Sequence, residues 1–484
     1  MPIDIQNNNG KISHPTIFVI FGITGDLAAR KLLPALIGLY AKKLLPDRFC
    51  VIGFSRRSFS REEFRELIRG RLNIRPGQFK EEDIKHFFDK VSYEQGHFDS
   101  PAAYGRLSKQ VEAIDKQWGQ CSNKLFHLSV PPSLYEGILN NLATSKLTVP
   151  CGDGTGWTRI LIEKPFGNDI ETAASLDKLL GKLFKEEQIF RIDHYLAKEV
   201  LQNILAFRFH NSLFEPVWNR KFVSRVHIKL FEKIGVEGRG ALYDKIGALT
   251  DVGQNHMLQM LSLIAMERPK SFDAVGVRRA RAKTMRMVET IKPKQLGRLA
   301  ARGQYEGYLN EPGVLPGSKT ETYFRIEAKV NNTRWKGVPF YLESGKGFAD
   351  SRTEIDIYFN GNNVHGWLRK DESHGEFAKV SRQNILTFRI QPEECIKVRF
   401  FVKAPGKSWI TEPRTLKFKY SDVPEYSDLP NDYERLIGDA FSGDQMLFAS
   451  TEEIMASWRF ITPIAENWSK VPLKIYKRGV REIE

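Results

Sequence analysis

At 484 residues the chain exceeds what one hydrophobic core supports, so two domains are expected. An apolar fraction of 41% and a charged fraction of 27% exclude a disordered polymer, and apolar runs such as TIFVIFGI and MLQMLSLIAM fall short of the roughly 18 residues of a membrane-spanning helix. The net charge of +15 comes from Lys and Arg mixed with acids along the whole chain, without a basic tail or an RNA-recognition signature, which disfavours nucleic acid and favours phosphorylated metabolites as partners.

Residues 1–13 form a polar segment with no basic region leading into an apolar run, which reads as a mobile extension of a cytoplasmic protein and not as a secretory signal. TIFVIF, at residues 16–21, is a continuous apolar run of the kind that forms a strand buried on both faces of a parallel sheet. It is followed by Gly22, Ile23, Thr24, Gly25, Asp26 and Leu27 and then by a helical pattern, AARKLLPALIGLYAK. A strand, a glycine turn and a helix start let backbone N–H groups and a helix dipole hold a pyrophosphate. The next strand, FCVIGF at 49–54, runs into Ser55, Arg56 and Arg57 with no acid; a basic side chain there favours the 2′-phosphate of NADP over the bare ribose of NAD. KLFHLSV, TRILIE and IFRI supply further strands. Helices lie between them, one with Asp169 as its expected N-cap. The pattern predicts a Rossmann-like, doubly wound α/β coenzyme domain over residues 14–192. GDGTGW precedes a strand, and GVLPGSKT has Ser318 where a phosphate loop needs another residue, so neither reads as a nucleotide site.

Beyond residue 200 the segments RVHIKLFE, TYFRIEAKV, EIDIYF, ILTFRI, IKVRFFVKA and TLKFKY alternate polar and apolar positions, which predicts a mainly antiparallel sheet in a larger α+β domain over residues 193–484. One helix, GALTDVGQNHMLQMLSLIAMERP, offers Leu258, Leu261 and Ile264 to a core and is expected to turn Asp251, Asn255 and His256 towards a cleft. The four cysteines, Cys50, Cys121, Cys151 and Cys395, are widely spaced and read as reduced core residues. No metal site is expected.

With these segments in order, the chain resembles the glucose-6-phosphate dehydrogenase family over nearly its whole length. The resemblance is carried by FGITGDLAARKLLPAL, NKLFHLSVPPSLYE, RILIEKPFG, RIDHYLAKE, FEPVWNR, EGRGALYDKIGALTDVGQNHMLQML, RWKGVPFYLESGK and YERLIGDAFSGDQMLF. It implies oxidation of glucose 6-phosphate at C1 with hydride transfer to NADP, by a homodimer or homotetramer. It implies His256 as general base with Asp193 as its carboxylate partner; imidazole suits that task near neutral pH. For the substrate it implies Lys164, His194, Tyr195, Lys198, Glu232, Asp251, Lys346 and Gln391, and for the coenzyme Gly22, Thr24, Gly25, Asp26, Leu27, Arg56, Tyr135 and, again, Lys164. On residue type alone Glu232 and Asp251 also read as salt-bridge or capping residues, and Tyr135 as a surface helix residue.

Three departures stand out. Ala197 replaces a customary Gly, Glu343 replaces a customary Arg, and Ser351 with Arg352 displace a basic residue, which argues against a second, structural nucleotide site. Gly253 in the His256 helix costs about 1 kcal/mol of helix propensity relative to Ala. The alternatives are a related hexose-phosphate or glucose dehydrogenase with relaxed NAD/NADP choice, and a catalytically silent scaffold relative. Retention of His256, Asp193, Lys164 and Lys198 argues against the scaffold.

Overall fold

The computed structural model describes residues 14–150, 156–361, 383–406, 411–426 and 429–483; the expected extension at 1–13 and Cys151 lie outside them. The chain forms two compact units. The first takes the chain up to Ala197 together with Asp273–Arg278 and Pro430–Thr451; the second takes Lys198–Phe272, Arg279–Leu429 and the chain from Glu452 onward.

In the first unit the apolar runs form the centre of a sheet. β1 (Thr16–Phe21), β2 (Phe49–Ser55), β4 (Asn123–Leu128), β5 (Thr158–Glu163) and β6 (Ile189–Ile192) are strands, joined at one edge by β3 (Val91–Gln95). Every residue of β1 and β4 is buried, as parallel strands covered on both faces require. The order is β6-β5-β4-β1-β2-β3, all parallel, with the short strand Phe448–Ala449 added antiparallel to β6. This is the doubly wound order whose direction reverses between β1 and β4, the place where such sheets bind ligands. β3, VSYEQ, gives no apolar run because it is an edge strand that buries only Val91 fully. Asp169 caps the helix Ile170–Leu183 through a reciprocal box with Thr172, as expected.

The second unit is built on a sheet whose order is β14-β13-β12-β11-β7-β10-β9-β8, ended by Leu473–Tyr476. Here β7 is Val223–Glu232, β8 Ala300–Tyr305, β9 Tyr323–Lys329, β10 Pro339–Lys346, β11 Arg352–Phe359, β12 Ile385–Gln391, β13 Cys395–Lys403 and β14 Thr411–Lys419. Its pairs are antiparallel except for β10 with β7 and Leu473–Tyr476 with β8. The parallel pair at β7 and β10 brings the ends of both strands together, with Lys346 opposite Glu232.

Two expectations are corrected. Cys121 is disulfide-bonded, whereas Cys50 and Cys395 are free; spacing along the chain carries no information on proximity in the fold. The helix around His256 is buried on every side from Val252 to Met266, while Thr250 and Asp251 just before that span are half-buried. Its apolar residues are joined inside by Gln254, Asn255, His256, Gln259 and Ser262, so it is a core helix and not a surface one. Among the described residues no helix is long and apolar enough to cross a membrane.

Candidate active site

The residues expected to hold coenzyme in the first unit follow from how β1 ends. Gly22 adopts φ +80° and donates its N–H to Phe54 O at 2.8 Å. A Cβ there would lie 2.2 Å from Ser129 O, just past β4. Only glycine meets both conditions. Gly25 N–H turns back to Gly22 O at 2.8 Å, and the Thr24 hydroxyl bonds that of Ser55 at 2.9 Å. The turn leads into a widened helical stretch, Ala28–Leu32, and then into Leu33–Ala41. Gly22, Thr24, Gly25, Asp26 and Leu27 thus form one tight loop at the sheet's reversal point, where backbone approaches backbone too closely for side chains. That is the form of a pyrophosphate cradle.

Arg56 follows β2 and is exposed. Its carbonyl is braced by Gln95 Nε2 at 3.0 Å, and Tyr93 donates its hydroxyl to the carbonyls of Ser55 and Arg57, so β3 sets the shape of the basic turn. Tyr135 is buried, contrary to the surface reading, and its hydroxyl donates to Glu163 O at 3.1 Å; burial, aided by the Glu163 carboxylate, pushes this phenol up. Lys164 comes directly after Glu163, is half-buried, and precedes Pro165 through a cis bond. Asp193, 1% exposed, directly follows β6. Its Oδ1 accepts Tyr195 N–H at 3.1 Å and its carbonyl accepts Leu196 N–H at 3.0 Å, winding His194–Ala197 into a single tight turn. Ala197 is not among the residues with positive φ, so its side chain carries no backbone strain.

In the second unit Lys198 stands at the N-cap of the helix Glu199–Phe209. Glu232 and Lys346 are an ion pair at the matched ends of β7 and β10. The Lys346 ammonium lies 5.3 Å from the centre of the Tyr243 ring, within cation–π range. Gln391 ends β12 opposite Thr353, which follows Arg352, the residue opposite Phe231; Glu232, Lys346 and Gln391 therefore share one end of the sheet. Asp251 and His256 belong to Leu249–Met257, a π-helical stretch continued by the α-helix Leu258–Ala265. Widened turns of this kind often mark functional sites. His256 is 2% exposed and its N–H meets Asn255 Oδ1 at 2.6 Å. Asn255 Nδ2 in turn donates to Asp251 O at 3.0 Å, and Gln254 Nε2 to Ser457 Oγ at 2.9 Å. Gly253 is explained by packing: a Cβ would sit 2.9 Å from the Phe324 ring.

Some supporting residues escape sequence reasoning. Arg71 donates to Thr24 O at 2.6 Å and to Asp26 Oδ1 at 2.7 Å, holding the glycine loop from a helix 45 or more residues away. Nothing marks it among the 73 Lys and Arg residues. Tyr433, from the segment that rejoins the first unit, donates to Glu163 Oε1 at 3.1 Å beside Lys164. Glu343 is not an exposed substitute for Arg: it is buried and accepts from His227 at 2.7 Å and from Tyr323 at 2.9 Å.

Comparison with known proteins agrees along the whole chain. Residues 19–203 match the family model "Glucose-6-phosphate dehydrogenase, NAD binding domain" and residues 205–483 the corresponding C-terminal domain. The glucose-6-phosphate 1-dehydrogenase of Chlamydia pneumoniae is 38% identical over 475 residues, covering 96% of this chain and 91% of that protein. Glucose-6-phosphate 1-dehydrogenase 5, cytoplasmic, of Arabidopsis thaliana is 37% identical over 473 residues, covering 96% and 88%. Among solved structures, a glucose-6-phosphate dehydrogenase in complex with glucose 6-phosphate superposes with a TM-score of 0.87 at 34% identity, covering 98% of this chain and 96% of that one. The glycine loop after β1, the tight turn begun by Asp193 and the buried His256 helix are thus those of a chain that belongs to the glucose-6-phosphate dehydrogenase family.

Proposed function

We propose that this protein is an NADP-dependent glucose-6-phosphate 1-dehydrogenase that oxidises D-glucose 6-phosphate to 6-phospho-D-glucono-1,5-lactone. The observation that carries the reading is the 38% identity to a glucose-6-phosphate 1-dehydrogenase over 475 residues. NADP, when bound, accepts the hydride that leaves C1. Gly22, Thr24, Gly25, Asp26 and Leu27 fit its pyrophosphate as a side-chain-poor glycine turn between a buried parallel strand and a helix start. Arg56, exposed at the end of β2 with no acid beside it, suits the 2′-phosphate, and Tyr135 and Lys164 complete the coenzyme set.

His256 takes the proton of the C1 hydroxyl as hydride departs, leaving the lactone carbonyl. Asp193 steadies the imidazolium that results. Lys164, His194, Tyr195 and Lys198 hold the sugar phosphate through charge-assisted and neutral hydrogen bonds, and Glu232, Asp251, Lys346 and Gln391 orient the sugar. The same reading makes the protein a cytoplasmic homodimer or homotetramer.

Changing His256→Asn tests the assignment of the base. The expected result is unchanged affinity for glucose 6-phosphate by calorimetry and a kcat lower by ~10²–10⁴-fold. Turnover near that of the wild type would remove His256 from the role.

A further inference from the structure

Glu321 lies outside every residue set invoked above, yet it is 5% exposed in the core of the second unit. Its Oε1 accepts Leu249 N–H at 3.0 Å, and its carbonyl accepts Ala248 N–H at 3.1 Å and the Tyr243 hydroxyl at 3.3 Å. Leu249 opens the π-helical stretch that carries Asp251 and His256. The first N–H groups of a helix have no partner within it, and a carboxylate placed there also meets the positive end of the helix dipole. The approach is close by construction: Gly247 has φ +72°, and a Cβ on it would stand 2.4 Å from Glu321 Oε1.

The next residue extends the connection. Thr322 O accepts Lys346 N–H at 2.9 Å, and Thr322 Oγ1 accepts Tyr305 N–H at 2.9 Å and shares a 2.8 Å bond with the Tyr476 hydroxyl. That hydroxyl also donates to Lys346 O at 2.7 Å. One dipeptide, Glu321–Thr322, therefore ties the start of the His256 helix to the strand end that holds Lys346 and Glu232.

We propose that Glu321 is a positioning residue for proton transfer, its carboxyl fixing the first turn of the His256 helix in a common frame with Lys346. The proposal rests on the reading of His256 as general base. Glutamine at this site keeps the acceptor for Leu249 N–H, whereas alanine leaves that buried donor without one. Gly247→Ala leaves the carboxyl in the chain but drives it from its place.

Initial rates of E321Q, E321A and G247A, taken well below each variant's melting temperature with both substrates varied, test this. E321Q is expected to keep a kcat close to that of the wild type. E321A and G247A are expected to lose about 10- to 100-fold in kcat, the scale of a small misplacement of a reacting group, with KM for NADP unchanged. Folded E321A or G247A with normal kcat would overturn the proposal, as would an E321Q as impaired as E321A. If E321A does not fold, E321Q and G247A decide between the same outcomes. A wild type that fails to reduce NADP, or a fully active H256N, would instead overturn the functional reading on which the proposal stands.

Discussion

Arg56 and two buried glutamates show how single side chains set measurable properties. If Arg56 neutralises the 2′-phosphate, Arg56→Ala will raise KM for NADP far more than KM for NAD; equal increases would contradict the assignment. Glu321 and Glu343 are both buried and titrate in opposite directions. Burial pushes the Glu321 carboxyl up to about 7, despite the Leu249 N–H and the nearby Arg302; Tyr243 and Tyr308 are further titratable groups beside it. Glu343 is also raised by burial, but hydrogen bonds from His227 and Tyr323, with His227 and Arg325 as nearby charges, bring it below the usual carboxylate range.

The linkage signs therefore differ. A raised native carboxyl gives stability that is full below its unfolded pKa and is lost as pH rises through about 7. A lowered one gives stability that is present above the unfolded pKa and is lost as pH falls through the native one. Thermal melts across pH are expected to show E321Q gaining on the wild type from mildly acidic to neutral pH, and E343Q losing most at neutral pH and least in acid. Parallel pH curves for both variants and the wild type would contradict this.

At the scale of the element, Gly22 and Gly253 carry the sharpest expectations. Gly22→Ala places a methyl into Ser129 O at a backbone angle alanine rarely adopts, so it is expected to raise KM for NADP and lower the melting temperature. Gly253→Ala sets a helix-propensity gain of about 1 kcal/mol against contact with the Phe324 ring. In a close-packed core the contact prevails, and a rise in melting temperature would contradict that. These positions also mark what was legible in the sequence. β1, β5 and β6 match the segments read from the sequence residue for residue, because a strand whose centre is buried on both faces shows as a run of apolar residues. β3 was not legible, since an edge strand with one fully buried residue leaves no pattern. The His256 helix was legible as a helix but not as a buried one: polar residues inside it find partners as distant as Ser457, over 200 positions from Gln254. Arg71, Tyr433 and Glu321 were illegible for the same reason. Each acts through hydrogen bonds to residues far away in the chain, and a single residue type at a single position has no period.

At the scale of the whole molecule, the first unit is not a contiguous stretch of chain. Pro430–Thr451 returns to it and brings Phe448–Ala449 to the edge of β6, Tyr433 to Glu163 and Glu434 against Gly38 and Lys42. It also brings the carbonyls of Ala440 and Phe441 to Arg159, at 2.7 and 2.8 Å. A fragment ending at Ala197 would expose all of these partners and is expected to lack a cooperative thermal transition; a transition like that of the intact protein would show that the unit folds without its late segment. The central claim concerns the reaction itself, and the direct measurement is absorbance of reduced nicotinamide with purified protein, glucose 6-phosphate and either NADP or NAD. Rapid reduction of NADP, faster than that of NAD at equal low concentration, is the expected result. A folded protein that reduces neither coenzyme with glucose 6-phosphate would contradict the account.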